Sequence, residues 1–341
     1  MYNFKNMTIE ELEEFFQDIG ETKYRAKQVY KWIYQGVTDF DDMTDISKKL
    51  REKLKEIAYI SQIKIEAKKI SKIDNTAKYL FLLEDNNIIE SVAISYSFGN
   101  TACVSTQVGC NMKCSFCASA IGGKIRDLDA SEMVNQVLLI NSDYGKISNI
   151  VLMGSGEPFD NYDEVMRFIK IINNPFGIGI GSRHITISTC GIVPKIYKFA
   201  DEKLQVNLSI SLHAPNDKLR SQLMPINNAY PLLELMNACK YYVEKTKRRI
   251  TFEYSLIEGV NDKKEHAVEL VELLKGMMCH VNIIPINYVN DIGYKKSKNE
   301  NILMFKKIIE NAGISCTIRR ELGSDIEAAC GQLRRKYLKE R

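Results

Sequence analysis

No apolar run in these 341 residues approaches the roughly 20 that a membrane-spanning helix requires. The longest, IVLM at 150–153 and VNLSISL at 206–212, are strand-sized, so a helical membrane protein is excluded and a soluble globular one is expected. The opening MYNFKNMTIEELEEFF lacks the apolar core of a signal peptide and turns acidic and amphipathic, which points to the cytoplasm. A strong excess of one charge is also missing. Lys and Arg total 47 against 43 Asp and Glu, a net +4 that by itself selects no partner. There is no low-complexity tract and no repeat shorter than a strand with its following helix. With 45% apolar residues the chain can bury the core of one large domain plus a smaller one.

Cysteine usage lacks a fourth partner. GCNMKCSFCAS at 109–119 gathers Cys110, Cys114 and Cys117 in one short stretch, and no second CxxC exists elsewhere. In a reducing compartment thiols more often bind metal or do chemistry than form structural bridges. Structural zinc closes with four protein ligands, and the spacing of His266 and His280 nominates neither. A cubane iron-sulfur cluster held by three thiolates keeps one iron open, and an open iron can bind a substrate. Cys114 and Cys117 also fit a CxxC redox pair, which leaves Cys110 without a task. The spacing favours the cluster, with zinc and redox chemistry as the alternatives.

The first sixty residues read as helical. Thr8 with Glu11 predicts a capping box ahead of Leu12, Phe15 and Phe16. A second apolar stripe runs through Tyr24, Val29, Trp32 and Ile33, and a third helix follows Ser47 with Leu50, Leu54 and Ile57. KYLFLL (78–83), the turn EDNN and IIESVAISY (88–96) predict a hairpin. Beyond it, β-branched runs alternate with helical stretches: ACVSTQV (102–108), NIVLM (149–153), HITIS (184–188), VNLSISL (206–212), ITFEYSLI (250–257), HVNIIPI (280–286) and ISCTIR (314–319). Crossovers of that length imply a parallel sheet, open or curled into a barrel, whose working residues sit after the C-terminal strand ends. Cys110 in its GC pair, GSGEP after Met153, TCG after Ser188, HAPND after Leu212 and NYVND after Ile286 all follow strands. The organisation expected is a helical accessory domain at 1–58, a β-rich connecting segment at 59–95 and the α/β unit at 96–341.

CxxxCxxC after a first barrel strand resembles the radical S-adenosylmethionine (SAM) superfamily. GSGEP fits that likeness: Gly154 and Gly156 allow close backbone approach to a ligand, and Glu157 can accept hydrogen bonds from an amine or a ribose. The longer motifs CVSTQVGCNMKCSFCAS, VLMGSGEP, RHITISTCGIVP, SISLHAPND, LMPIN, GVNDKKEHA and GSDIEAACGQL resemble the RlmN/Cfr family of RNA adenine methyltransferases, and YRAKQVYKWIY, FDDMTDISKKLR and QVGC look like its RlmN branch.

The resemblance implies a partial (β/α)6 TIM-like barrel with a [4Fe-4S] cluster on Cys110, Cys114 and Cys117 and two SAM molecules per turnover. One SAM methylates Cys330. The second is cleaved to a radical that takes hydrogen from the S-methyl group, and the resulting methylene radical adds to adenine. Such a route suits C2 of adenine, an electrophilic carbon that cannot attack SAM directly. Glu90 matches the residue that removes the ring proton, and Cys103 the thiol that releases the adduct through a transient disulfide. SAM contacts fall on Gly156, Glu157, Ser188, Ser211, Leu212, His213 and Asn287, with Met153 near the reacting centre. The implied product is 2-methyladenosine in 23S rRNA at the peptidyl transferase centre and at adenosine 37 of tRNA. The alternative within the family is Cfr-type methylation at C8, which gives antibiotic resistance, and a rival of another class is a non-catalytic zinc-stabilised RNA-binding protein. A flavodoxin or ferredoxin electron donor and a monomer, without a membrane partner, complete the expectation.

Singly, these residues have plainer readings: Cys330 and Cys103 as core thiols, Glu90 as the solvent side of a strand. Cys190, Cys239, Cys279 and Cys316 are assigned to structure. RNA is expected to be gripped by the helical region with Trp32 and by two basic runs, Lys245, Lys247, Arg248 and Arg249, and Arg334, Arg335, Lys336, Lys339 and Arg341. Taken alone, either run reads as a solvated helix face.

Overall fold

The computed structural model describes residues 1–286, 293–326 and Tyr337, and it begins with the helices Ile9–Asp18, Lys23–Tyr34 and Lys48–Ile57. Thr8 Oγ1 accepts the Glu11 N–H while Glu11 Oε2 accepts the Thr8 N–H, closing the expected capping box. Ser47 caps the third helix through the Leu50 N–H. The stripe on the second helix differs from expectation. Tyr24 is 65% exposed, and the buried row is Ala26, Val29, Tyr30 and Ile33, which follows the helical repeat that Tyr24 does not share. With Phe4, Phe15, Phe16 and Phe40 these residues form a core of their own.

Ten strands form one sheet in the order Ser315–Ile318, Cys279–Pro285, Ile250–Leu256, Asn207–Ser211, Ile185–Thr189, Ile147–Leu152, Gly99–Cys103, Ile88–Tyr96, Ala77–Leu82 and Lys64–Ile70. From Gly99–Cys103 to Ser315–Ile318 every pairing is parallel, with helices in the crossovers. This is the partial α/β barrel anticipated. The last three strands are antiparallel and continue the same sheet, so the hairpin of 78–96 extends the barrel wall.

The expected strand ACVSTQV breaks in two. Gly99–Cys103 stays in the sheet, whereas Gln107–Gly109 pairs with Lys124–Asp127 in a separate ribbon. Polar side chains cause the break. Ser105 donates its hydroxyl to the Glu90 carbonyl at 2.5 Å and its N–H to Gln136 Oε1 at 2.9 Å, which takes the backbone out of the ladder.

Strand alternation gives the outer strands two uses. Tyr79, Phe81, Ile89 and Ala93 join the main core, while Val92 and Ile94 on the opposite face pack with Cys103 and Leu322. The chain leaving the last parallel strand crosses to the far side of the sheet, where the Gly323 N–H meets Asp74 Oδ2 at 2.8 Å and Asp325 Oδ2 accepts the Lys72 N–H at 2.9 Å. Among the described residues no helix is long and apolar enough to cross a membrane.

The helical region meets the barrel through Lys5, whose Nζ donates to the Ser61 carbonyl at 2.9 Å and to Asn135 Oδ1 at 2.6 Å. Burial lowers its pKa from 10.5 to about 8, with Glu84 opposing. A lysine whose folded pKa lies below its unfolded one binds fewer protons when folded, so stability rises with pH between about 8 and 10.5. Denaturant unfolding across that window should show a gain on the order of 3 kcal/mol, and Lys5→Met should abolish the slope assigned to this site.

Candidate active site

A cavity of about 350 Å³ opens where the parallel strands end, lined by Cys103, Cys110, Cys114, Cys117 and Met153 together with Gly156, Glu157, Ser188, Ser211 and His213. The size suits a small cofactor. Barrel topology accounts for the convergence, because every strand delivers its following loop to the same end.

Cys110, Cys114 and Cys117 lie on a loop clamped at its base by the Gln107–Gly109 ribbon and by the Cys110 N–H on the Gly123 carbonyl at 3.2 Å. Burial pushes the Cys110 thiol up to about 12, with Cys117 adding to the rise. Cys114 is raised by burial and then by Cys117 and Cys110. With burial and neighbouring thiols both opposing the ionisation of Cys110 and Cys114, an added positive centre would favour their thiolate forms. No three His, Cys, Asp or Glu among the described residues are spaced for a single ion. A cubane, which takes its sulfurs at separate corners, fits this donor set better than a closed zinc site. His280 instead bonds Ser315 and Thr317 along the sheet, and His266 caps a helix at Lys263.

The GSGEP turn is shaped by the chain itself. A Cβ on Gly154 would meet Ser105 Oγ at 2.6 Å, and one on Gly156, at φ +109°, would lie 2.7 Å from Gln107 Cβ. The glycines are required by the neighbouring loop, where close approach to a ligand had been expected. Glu157 is likewise engaged. Oε1 accepts the Phe159 N–H at 2.9 Å and Oε2 the Cys190 N–H at 2.7 Å, while its own N–H goes to Gln107 Oε1 at 2.9 Å. Burial raises its pKa against these hydrogen bonds.

His213 Nδ1 accepts the Ser255 N–H at 2.9 Å. Burial, helped by Arg220, lowers its pKa to about 3, so the ring is neutral with its proton on Nε2. Its edge packs on Phe116 of the thiol loop at 4.8 Å between centroids. Leu212 does not line the cavity. Its side chain is in the main core and its carbonyl accepts from Ala214 and Arg220.

Cys103 forms part of the wall between Val92 and Met153. Glu90 is 3% exposed, contrary to a solvent-facing reading, with Oε2 at 3.4 Å from the buried Lys78 Nζ. Asn287 and Cys330 fall outside the described residues, as do the NYVND motif and the C-terminal basic run. The other basic run lies at the far end of the barrel, where Arg248 holds Gln205 and Asn207 and Lys245 pairs with Asp201.

Sequence reasoning missed Glu253 and Arg319, both in the cavity wall. Glu253 is buried, its pKa raised by desolvation and opposed first by Arg319, and it accepts from Asn282 at 2.8 Å. Its signal was a lone carboxylate inside the apolar strand ITFEYSLI. Gly156→Ala should destabilise the chain by about 1–3 kcal/mol in denaturant unfolding, since it combines the strained φ with overlap on Gln107.

Comparison with known proteins now bears on this site. The family described as Ribosomal RNA large subunit methyltransferase N-terminal domain matches residues 2–60, and the Radical SAM superfamily matches residues 104–273. A "Probable dual-specificity RNA methyltransferase RlmN" of Thermoanaerobacter sp. (strain X514) is 81% identical and covers 100% of both chains. One of the same name from Alkaliphilus oremlandii (strain OhILAs) is 58% identical over 98% of this chain and 97% of its own. A solved radical SAM methyltransferase from Sphaerobacter thermophilus superposes with TM-score 0.92 at 43% identity, covering 97% of this chain and 99% of the other.

Proposed function

The chain belongs to the RlmN family of radical SAM RNA methyltransferases, and from that premise we propose that it forms 2-methyladenosine in 23S rRNA and at adenosine 37 of tRNA. It is a SAM-dependent RNA methyltransferase whose cofactors are a [4Fe-4S] cluster and SAM. The observation that carries the reading is that one cavity is walled by the three loop thiols and, on a different strand, by Cys103.

Bound there, the cluster and SAM supply reductive carbon–sulfur cleavage and hydrogen-atom abstraction. The chain does the rest. Cys110, Cys114 and Cys117 hold the cluster. Gly156, Ser188, Ser211 and the Nε2–H of His213 face SAM, joined by Asn287, while Glu157 fixes the turn by spending its oxygens on Phe159 and Cys190. Leu212 contributes through its place in the backbone beside Ser211. Cys330 carries the methyl group and Glu90 accepts the adenine ring proton beside Lys78; the Cys103 thiolate then attacks the Cys330 sulfur, the sulfur–methylene bond breaks with its electron pair going to the methylene carbon, which takes a proton to become the methyl group, and a Cys103–Cys330 disulfide forms. The 1–58 unit grips RNA, 59–95 extends the wall and 96–341 is the catalytic unit. A cytoplasmic monomer reduced by a flavodoxin or ferredoxin is the working form.

Anaerobic reaction with unmodified 23S rRNA and SAM bearing a deuterated methyl group tests the proposal. Nucleoside mass spectrometry should find 2-methyladenosine with only part of the label, and label at C8 or a fully labelled methyl would overturn it. Cys330→Ala should retain iron and lose all transfer, whereas Cys103→Ala should accumulate a protein–RNA adduct on a denaturing gel. His213→Ala should weaken SAM binding to the loaded chain roughly tenfold, the value of one buried hydrogen bond. The His213 ring resonance, assigned by its loss in His213→Ala, should not shift between about pH 5 and 8 in nuclear magnetic resonance, because this ring stays neutral there.

A further inference from the structure

Arg220 is wholly buried. It stands on the helix Asp217–Leu223, whose Leu223 carbonyl accepts the Ser115 N–H of the thiol loop at 2.9 Å. Leu219 and Leu223 of that helix share an apolar cluster with Cys114, Phe116 and Cys190. Every described acceptor of the guanidinium is a neutral dipole. Nε reaches the Leu212 carbonyl at 3.3 Å and Nη1 meets Asn227 Oδ1 at 3.0 Å. Nη2 reaches the Cys190 carbonyl at 2.7 Å and the Ser211 carbonyl at 3.4 Å. Among the described residues no carboxylate lies within ion-pair distance of it. The acidic groups that face it are Cys190, Cys114, Cys239 and, after these, Asp217.

A guanidinium does not give up its proton, and a buried charge without a counter-charge is costly. These four hydrogen bonds engage all three guanidinium nitrogens and leave its charge standing. Three thiolates carry three negative charges, and a cubane core returns only part of that, so the loaded loop is anionic and becomes more so by one when reduced. We propose that Arg220 is the built-in counter-charge of the loaded cluster, a positioning residue that favours cluster retention and makes its one-electron reduction easier. The inference rests on the reading that the three thiols hold a cluster. The physical basis is that a fixed positive charge in apolar surroundings acts strongly on a nearby added electron.

The test compares wild type, Arg220→Gln and Arg220→Lys after anaerobic reconstitution, with iron content, a dithionite redox titration followed by electron paramagnetic resonance, and unfolding of apo and loaded chains. Gln keeps hydrogen bonding and removes the charge, while Lys keeps the charge and loses the fork. Arg220→Lys should titrate close to wild type. Arg220→Gln should shift to a more negative midpoint, with a roughly tenfold lower reduced-to-oxidised ratio at the same poise, and should destabilise the loaded chain more than the apo chain. Loss of the cluster in Gln alone also supports the counter-charge. Equal midpoints in all three chains, equal loss of cluster in both variants, or equal destabilisation of apo and loaded forms by Gln would assign Arg220 to scaffolding and overturn the inference. A wild-type chain that takes up no iron overturns the cluster reading and this inference with it, whereas a loaded wild type with indifferent variants overturns the role of Arg220 alone.

Discussion

Three thiols gathered in one short loop oppose one another's ionisation unless a positive partner joins them, and the architecture around residues 105–123 answers to that constraint. Burial first, and then the neighbouring thiols, push the Cys110 and Cys114 thiols up. The loop is therefore built from outside. The Gln107–Gly109 ribbon clamps its base, Gln107 Oε1 ties it to the GSGEP turn through Glu157, and Glu157 binds that turn to the next one through Cys190. Successive strand ends are thus linked by side chain to backbone bonds, and a disturbance at one is felt at its neighbours.

The same links explain why the site lies on one side of an incomplete barrel. A sheet whose parallel part stops at Ser315–Ile318 and whose other edge is the hairpin extension leaves a lateral gap, and the segment after Ile318 crosses it to Lys72 and Asp74. Arg319 to Leu322 of that segment enter the cavity wall. On the antiparallel extension of the same sheet, Glu90 and Lys78 are an ion pair removed from water. Such a pair is a poor source of stability compared with apolar packing.

Much of this was legible in the sequence wherever one local rule governs one local feature. The capping box at Thr8 and Glu11, the hairpin of 78–96, the βα alternation and the thiol spacing each need only a few neighbouring residues. What was illegible depends on partners distant in sequence. ACVSTQV alternates like a strand, yet Gln136 and the Glu90 carbonyl pull Ser105 out of the ladder. Gly154 and Gly156 look like openings for a ligand, but the space is filled by Ser105 and Gln107. The partners of Arg248 in the run ending at Arg249, Gln205 and Asn207, lie more than forty positions away along the chain and were equally out of reach. Arg220 in DKLRSQL gave no signal, since an arginine on a short helix ordinarily faces water.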